Sequence, residues 1–173
     1  MPNNAPATRR FIEPESAIVN LVIDRAMAPT PEVMTLLEEL NDALSFGYAP
    51  DQRHALSVDQ LFQPGVRFFL ARADDAAVAC GGVAFLGGFA EVKRMYARPA
   101  MRGKGVAAAL LKRLEDEARA AGETILRLET GIHQHEALRF YEKCGFRRRD
   151  AFGAYLEKPP HTIATSIFFE KTL

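Results

Sequence analysis

The order of strand-like and helix-like segments constrains the fold of this chain more than any other feature. Three strands are predicted in succession, at 66–72, 77–86 and 89–97, and the dipeptides DD and GG between them are typical of hairpin turns. A helix that ends at Gly122, a strand at 124–130, a helix at 134–144 and closing strands at 147–150 and 166–171 follow. Strands that come first and then alternate with helices indicate a mixed α/β sheet.

The segment before these strands predicts one further strand and two helices. Residues 17–24 are rich in β-branched side chains, which favours a strand. The sequence TPE at 30–32 supplies the N-cap, the first-turn proline and the acid that commonly begin a helix. Ser57 and Gln60 have the spacing of a capping box, so a short second helix is predicted to end before Pro64.

Length, charge and cysteine content limit the organisation of the protein. The chain has 173 residues, which fits one domain at 16–173 preceded by a flexible tail at 1–15. Lys and Arg together number 22, as do Asp and Glu, so neither a nucleic-acid partner nor a membrane partner is expected. Cys80 and Cys144 form no C-x-x-C pair and the N-terminus lacks an apolar signal segment, so a cytoplasmic protein with reduced thiols is expected.

A glycine-rich turn enters the following helix without a capping side chain. The sequence RPAMRGKGVAAALL, at 98–111, has no Ser, Thr, Asp or Asn where the helix begins, although the first N–H groups of a helix normally find a side-chain oxygen. Open amides at a positive dipole end, two glycines and the charges of Arg102 and Lys104 favour an anion such as phosphate. The alternative is a solvated connection between the strand and the helix.

Two common phosphate-binding motifs do not fit this turn. The Walker motif requires Gly at the position of Arg98 and Ser or Thr at that of Gly105. The stretch 103–108 matches the dinucleotide fingerprint G-x-G-x-x-A, and Glu129 ends a strand roughly 20 residues later. That fingerprint requires the strand to run directly into the first glycine, whereas residues 98–102 intervene here.

Two segments resemble motifs of the GCN5-related N-acetyltransferase (GNAT) superfamily. Residues 102–107, RGKGVA, resemble its [QR]-x-x-G-x-[GA] motif, which binds the pyrophosphate of acetyl-coenzyme A (acetyl-CoA). Residues 137–146, ALRFYEKCGF, resemble its A-x-x-[FL]-Y-x-K-x-G-F helix, one helix and one strand later, as in the family. The resemblance covers 65–150 and implies a GNAT fold, α/β (α+β), with a mixed, mostly antiparallel central sheet of about six to seven strands flanked by about four helices.

The resemblance also implies which residues bind acetyl-CoA. The strand end at 95–97 is expected to offer backbone groups to the pantetheine arm, in a gap between this strand and the strand at 126–130. Gln134 stands near the place where many members of the family have Asn. The cofactor-binding residues expected are Met95, Tyr96, Ala97, Arg102, Gly103, Lys104, Gly105, Val106, Ala107, Gln134, Ala137 and Tyr141.

Tyr141 and Glu91 are the catalytic residues that the resemblance implies. A phenol with a pKa near ~10 can donate a proton or a hydrogen bond to a leaving thiolate, so Tyr141 is expected to be the general acid; the alternative is a buried aromatic side chain. Glu91 lies at a place similar to that of the glutamate base in the histone-acetylating branch, and burial would have to raise its pKa. The alternative for Glu91 is an ion pair with Lys93 or Arg94.

The remaining polar clusters predict no metal site. His133-x-His135 lacks a third ligand at a suitable spacing, so no metal is expected. The basic run at 147–149 is typical of a solvated strand edge, and the alternative is a contact with the 3′-phosphate of coenzyme A.

As a whole, the resemblance implies transfer of an acetyl group from acetyl-CoA to a primary amine by direct attack in a ternary complex. The alternative is a non-catalytic protein of the same fold that binds an acyl-CoA as a sensor or scaffold. The acceptor, a small molecule or a peptide amine, is expected to be framed by Phe46, Tyr48, residues 51–54 and the loop at 153–165. Sheet-edge dimerisation is common in the family, so a homodimer is one expected assembly.

Overall fold

The structure, a computed structural model that describes residues 20–173, is built on one sheet. Its strands are β1 (Leu21–Ala26), β2 (Val66–Ala73), β3 (Ala76–Phe85), β4 (Ala90–Ala97), β5 (Ile125–Gly131), β6 (Arg147–Arg149) and β7 (Ser166–Thr172). Its α-helices are α1 (Pro31–Ser45), α2 (Val58–Leu61), α3 (Val106–Ala120), α4 (His135–Lys143) and α5 (Pro160–Ile163), with short 3-10 helices at Pro50–Gln52, Pro99–Met101 and Gly153–Glu157. Within residues 20–173, no helix has both the length and the apolar character that crossing a bilayer requires.

The predicted fold class is confirmed, with seven strands in the order β1-β2-β3-β4-β5-β7-β6. The tail predicted at 1–15 and the first three residues of the strand predicted at 17–24 lie outside the described residues. Two predictions need correction. β1 runs to Ala26, two residues beyond the predicted end, because it pairs with β2 as far as Phe68. The loop predicted at 153–165 contains a 3-10 helix and α5, whose first residue is Pro160, a residue favoured at the start of helices.

The predicted helix starts of α1 and α2 are confirmed in atomic detail. The Thr30 side chain accepts a hydrogen bond from the backbone amide of Val33, at 3.4 Å. Ser57 and Gln60 form the reciprocal capping box, since each side chain accepts from the other residue's amide, at 3.2 and 2.9 Å. These local contacts fix where both helices begin, independently of the rest of the fold.

The centre of the sheet contains its one parallel junction within the described residues, between β4 and β5. These two strands pair only at Ala90 with Leu126 and at Glu91 with Arg127. Beyond those pairs β4 continues to Ala97 and β5 continues to Gly131, but the two strands no longer pair with each other. The strands therefore diverge and leave a gap that opens toward the C-terminal end of β4.

A β-bulge in β4 increases this divergence. Gly82 of β3 pairs with Lys93 and Cys80 pairs with Tyr96, so Arg94 and Met95 together face Gly81. Arg94 has a φ of 53°, the left-handed conformation that glycine adopts far more readily than arginine. A Cβ atom at Gly81 would lie 3.3 Å from the Cα of Met95, which is tighter than ordinary packing allows. Gly81 therefore permits the close approach of the bulge to β3.

Apolar side chains cover both faces of the sheet. α3 contributes Leu110, Leu111 and Leu114 to a core on one face, where they pack with residues of β2 to β5 and β7. On the other face, Leu36 and Leu37 of α1 pack against β2 and β3. The gap between β4 and β5 is thus held between two packed layers.

The helical spacing of the sequence predicts that Glu115 lies on the polar face of α3 and that Ala121 is buried, and the structure differs in both details. Glu115, predicted on the polar face, is 7% exposed, and its carboxylate accepts a hydrogen bond from Lys171 of β7 at 2.7 Å. Ala121, predicted to be buried, is exposed because the helix ends one residue earlier.

The α3 core should be sensitive to loss of volume. Leu114 is fully buried, so Leu114→Ala should lower the free energy of unfolding by about 2–5 kcal/mol through lost burial and the cavity it leaves. Leu156 is 70% exposed, and Leu156→Ala serves as the matched control with an expected change within about 0.5 kcal/mol. Urea unfolding of both variants measures the difference, and equal losses would contradict the assignment of the core.

Candidate active site

The start of α3 has no capping side chain, as the sequence predicts. Its N-cap residue is Gly105, with a φ of 79°, and Gly103 also has a positive φ, of 72°. A Cβ at either glycine would meet nothing within 4 Å, so the space above the turn is open. The first amides of the helix therefore face a region that a large anion can enter.

The glycine turn lies next to α4. Arg102 forms an ion pair with Glu136 in the first turn of α4, with 2.7 Å between Nη2 and Oε2. Both side chains are about two-thirds exposed, so this pair contributes little to stability. It nevertheless brings together the two segments that resemble GNAT motifs, which are separated by a helix and a strand in the chain.

One cavity of about 160 Å³ extends into the gap between β4 and β5. Five of the predicted site residues line it: Glu91, Met95, Gln134, Ala137 and Tyr141. Tyr96 and Ala97 do not line it, since Tyr96 packs toward α1 and Ala97 packs in the α3 core. Their backbone groups belong to the part of β4 that lacks a partner on the β5 side, which is where the sequence places the pantetheine arm.

Tyr141 is a buried aromatic residue that also reaches the cavity. It is 7% exposed and packs against Phe140, Phe146 and Phe169. Its hydroxyl points across the gap to the thioether sulfur of Met95, at 3.8 Å. Burial raises the pKa of Tyr141, so the phenol keeps its proton at neutral pH. The side chain can therefore donate a hydrogen bond to a sulfur atom placed in the gap.

Glu91 belongs to a polar cluster with Lys93 and Tyr155. It is 3% exposed, and its Oε1 accepts hydrogen bonds from Lys93 Nζ at 2.6 Å and from the Tyr155 hydroxyl at 2.8 Å. Lys93 Nζ also lies 2.9 Å from the Tyr155 hydroxyl. The ion pair predicted as the alternative for Glu91 is thus present with Lys93, and Arg94 takes no part in it. The burial predicted for Glu91 is present as well.

A second carboxylate, Glu129 of β5, lines the same cavity. Burial raises its pKa, and the nearby negative charge of Glu91 acts in the same direction, while a hydrogen bond from Ser166 Oγ at 2.6 Å and the charge of Lys93 oppose them. The two carboxylates and one ammonium group form the polar centre of the cavity.

The segment between α1 and α2 forms one wall of the cavity. Tyr48, Gln52, Arg53 and His54 line it, whereas Asp51, which the sequence also proposes for the acceptor frame, does not. The Tyr48 hydroxyl accepts a hydrogen bond from the His133 amide at 2.9 Å. Tyr48 also lies so close to β5 that a Cβ at Gly131 would overlap its hydroxyl and ring. Phe46, which the sequence also proposes for this frame, is instead 94% exposed and is not among the lining residues.

A second cavity, of about 630 Å³, adjoins the first. Both are lined by the polar residues Arg53, His54, Glu91, Lys93 and Tyr155. The remaining wall of the second cavity is largely apolar and includes Phe85, Leu86, Phe89 and Phe152. Tyr155, from the predicted loop 153–165, therefore stands where the two cavities meet.

Other predicted clusters lie away from this centre. Arg148 pairs with Glu142 and Arg149 pairs with Glu170, so two members of the basic run have partners within the protein. Among residues 20–173, no group of three or more His, Cys, Asp and Glu side chains has a geometry that could hold a metal ion.

Sequence reasoning missed Glu129 and Arg94 as lining residues, and it did not single out Tyr155 within the predicted loop at 153–165. Glu129 had a usable signal, because it alternates with the buried Leu126 and Leu128 and so belongs to the opposite face of β5. Tyr155 had no such signal in the sequence, since it contacts Glu91 from a segment 64 residues away in the chain.

The sequence and the structure both match known acyltransferases. The profile of the Acetyltransferase (GNAT) family matches residues 33–146. An IAA acetyltransferase of Azospirillum brasilense is 40% identical over 156 residues, which are 89% of this chain and 99% of that protein. A Klebsiella pneumoniae protein classed as an acyl-CoA N-acyltransferase has a structure with a TM-score of 0.68 and 34% identity, covering 88% of this chain and 97% of that one. A GNAT acetyltransferase of Elizabethkingia anophelis with bound acetyl-CoA shares the fold, with a TM-score of 0.66 at 21% identity over 90% of this chain and 99% of that one.

A parallel strand pair that separates beside an uncapped helix start is an arrangement suited to an acyltransferase that uses an extended thioester. The chain belongs to the acetyltransferase (GNAT) family, as the resemblance of its two motifs implies. It is therefore an N-acetyltransferase by family and by fold.

The raised pKa of Glu129 predicts a distinct pH dependence of stability. Because the folded state disfavours the ionised carboxyl, stability should fall as the pH rises from the ordinary value of 4.5 toward the higher folded-state pKa. Glu129→Gln keeps an acceptor for Ser166 and removes the charge, so its melting temperature should exceed that of the wild type at pH 8 and converge with it below pH 4.5.

Glu170 on the neighbouring strand β7 provides the control of opposite sign. Hydrogen bonds from Arg127 and Arg149 lower its pKa, so its contribution to stability is present above pH 4.5 and is lost as the pH falls through the folded-state value. Glu170→Gln should therefore melt below the wild type at neutral pH. Thermal melts of both variants across the pH range measure this, and a lower melting temperature for Glu129→Gln at pH 8 would contradict the assignment.

Proposed function

We propose that this protein transfers an acetyl group from acetyl-CoA to a primary amine by direct attack in a ternary complex. The observation that carries the proposal is the juxtaposition of open amides at Gly105 with the gap between β4 and β5, and with the hydroxyl of Tyr141 inside that gap. Acetyl-CoA contains a diphosphate, an extended arm with amides and a sulfur atom, in this order. The open amides, the gap and the Tyr141 hydroxyl suit these three parts in the same order. The acetyl-CoA bound to the E. anophelis protein of the same fold supports the choice of co-substrate.

The chain offers suitable groups for each part of acetyl-CoA. The amides of Gly103 and of residues 105–107, together with the side chains of Arg102 and Lys104, would bind the pyrophosphate. The unpaired edge of β4 from Met95 to Ala97 would pair with the amides of the pantetheine arm, as a neighbouring strand does. Gln134 and Ala137 of α4 would form the opposite side of the channel. When bound, acetyl-CoA would supply the thioester whose carbonyl carbon the amine attacks.

Tyr141 acts in the proposal as the general acid. As the bond between the carbonyl carbon and sulfur breaks, the leaving thiolate takes the phenolic proton or a strong hydrogen bond from it. The hydroxyl already lies 3.8 Å from one sulfur atom, that of Met95, and has no stronger acceptor among residues 20–173. Its raised pKa keeps it protonated until the thiolate forms.

Glu91 is the proposed acceptor of the proton that the attacking amine loses. Its carboxylate faces both cavities, and the hydrogen bonds from Lys93 and Tyr155 hold it in position. An amine that enters through the second cavity meets this carboxylate before it reaches the gap. Collapse of the tetrahedral adduct gives the amide product and the free thiol, and the proton that Glu91 accepted then replaces, through water, the proton that Tyr141 donated, so both residues regain their starting states.

Thiol release separates an enzyme from a protein that only binds an acyl-CoA. We expect acceptor-dependent release of coenzyme A across a panel of amines, followed with a thiol reagent and by mass spectrometry of the products. The protein contributes little background, since Cys80 is buried with a pKa raised to about 12 and burial also raises the pKa of Cys144. Tight acetyl-CoA binding without thiol release for any amine would favour the sensor.

Gly105→Glu tests the diphosphate site. The new carboxylate would stand at the open amides and repel a diphosphate, so the Kd for coenzyme A should rise at least tenfold. Gly122→Glu at the other end of α3 is the matched control, since Gly122 has a φ of 85° and equally open surroundings, and its Kd should stay unchanged. Calorimetric titration measures both, and equal Kd values for the two variants would contradict the site.

Tyr141→Phe tests the general acid. The variant keeps the packed ring and loses the proton donor, so kcat should fall by about 10²-fold or more. The Kd for acetyl-CoA and the melting temperature, measured on the same preparation, should change little. An unchanged kcat would assign Tyr141 to the aromatic core alone.

A further inference from the structure

Arg94 presents a guanidinium group to the first cavity from the bulge of β4. Its Nη1 donates a hydrogen bond to the side-chain oxygen of Asn41 in α1, at 2.7 Å. Its Nε is buried and has no hydrogen-bond partner among residues 20–173. An arginine has five N–H donors and no acceptor, so a single neutral amide leaves most of its hydrogen-bonding capacity unused.

The charge of Arg94 has no counterion within the described part of the protein. No carboxylate of residues 20–173 pairs with it, whereas Arg98, four residues later on the same side of the sheet, pairs with Glu39 at 2.7 Å. Burial lowers the pKa of Arg94, which reflects the cost of removing its charge from water without compensation. Proteins rarely bury a cation in this way unless a partner arrives with the ligand.

The backbone at Arg94 is held in a costly conformation that directs the side chain to this place. A left-handed φ of 53° is strained in a residue with a Cβ and a long side chain. Such strained residues persist where the surrounding structure enforces them, and they concentrate at functional sites. Here the bulge turns Arg94 toward α1 and the cavity instead of the α3 core.

The cavity as a whole has an excess of positive charge. Lys93 and Glu91 form an ion pair and offset each other. Arg53 donates two hydrogen bonds to the carbonyl oxygen of Tyr48 and, like Arg94, pairs with no carboxylate of residues 20–173. Two guanidinium groups without a carboxylate partner among residues 20–173 therefore line the cavity with one further carboxylate, Glu129.

We propose that the acetyl acceptor is an amine that also carries a carboxylate, and that Arg94 binds this carboxylate. This inference rests on the proposed function and names the substrate class of the same site. The amine of such an acceptor lies at Glu91 and Tyr155, and its carboxylate lies on the α1 side of the cavity, where Leu40 and Leu44 adjoin Arg94. Arginine suits this task, because its planar fork matches the two oxygens of a carboxylate.

Matched acceptors with and without the anion test the inference. Initial rates of coenzyme A release are measured with L-phenylalanine, glycine and 4-aminobutyrate, and with the corresponding amides of the three acids. For at least one of the three pairs, kcat/KM of the wild type should favour the carboxylate by about tenfold to a hundredfold, the strength expected of a charge-assisted contact. Glycine and L-phenylalanine share one spacing between amine and carboxylate and differ in side chain, whereas 4-aminobutyrate has a longer spacing, so the set also distinguishes the spacing that fits.

Variants of Arg94 isolate its role. In Arg94→Gln, kcat/KM should fall much further for the acids than for the amides, so that the preference for the carboxylate falls to near unity. Arg94→Lys should keep part of the preference, since it retains the charge and loses the fork. The ratio of kcat/KM for an acid to kcat/KM for its amide is compared between the variants. This comparison cancels the difference in intrinsic reactivity between the amine of the acid and the amine of the amide. Arg25→Gln, in an exposed position of β1, is the control and should leave the ratio unchanged.

Thermal stability provides a readout that does not depend on turnover. Arg94→Gln removes an uncompensated buried charge, so its melting temperature without ligands should equal or exceed that of the wild type. With coenzyme A present, the N-acetylated form of the preferred acid should raise the melting temperature of the wild type and not that of Arg94→Gln.

The outcomes of these experiments are distinguishable. One outcome is that both members of every pair release thiol and that the ratio of kcat/KM for the acid to kcat/KM for its amide is the same in the wild type and in Arg94→Gln. This outcome would overturn the inference and leave the proposed function standing. Absence of thiol release with every amine would overturn the proposed function and the inference together. A carboxylate preference that survives in Arg94→Gln would assign the anion to another group.

Discussion

The separation of β4 from β5 after two residue pairs is the constraint on which the rest of the structure depends. A sheet normally satisfies each backbone amide with a neighbouring strand, and interrupting the pairing at its centre exposes groups that need another partner. Helices α1 and α3 pack on opposite faces of the sheet, and the bulge at Arg94 lies in the part of β4 beyond its last pair with β5. The proposed cofactor channel, the proposed general acid and the proposed acceptor cavity all lie along this interruption of the strand pairing.

Local rules explain why much of the fold could be predicted. The caps at Thr30 and Ser57 and the glycine turn before α3 depend on residues within four positions of one another, so the sequence carries their whole cause. The same holds for the pair of motifs that indicate a GNAT protein, since each is a continuous segment. The expected mixed sheet and the family follow from these segments, and the structure and the comparisons confirm both.

Contacts between distant segments explain what could not be predicted. Tyr155 comes from a 3-10 helix that the sequence did not signal, and its position depends on how the segment before β7 folds over β4. Alternation along β4 places Lys93 on the same face as Glu91, so that ion pair follows a local rule, whereas the bulge that directs Arg94 to Asn41 has no such signal in the sequence. Glu115 was misassigned because its partner, Lys171, lies 56 residues away.

The close packing of Tyr48 on Gly131 has a further consequence. The phenol lies where any side chain at position 131 would be, and its hydroxyl accepts the amide hydrogen of His133, so the connection after α1 is fastened to the end of β5 at two points. The ring of Tyr48 thus fixes the cavity wall formed by the segment between α1 and α2 relative to β5. In the proposed ternary complex, this contact would hold the acceptor wall beside the strand that flanks the thioester, so a change in that wall would have to preserve the contact of Tyr48 with Gly131.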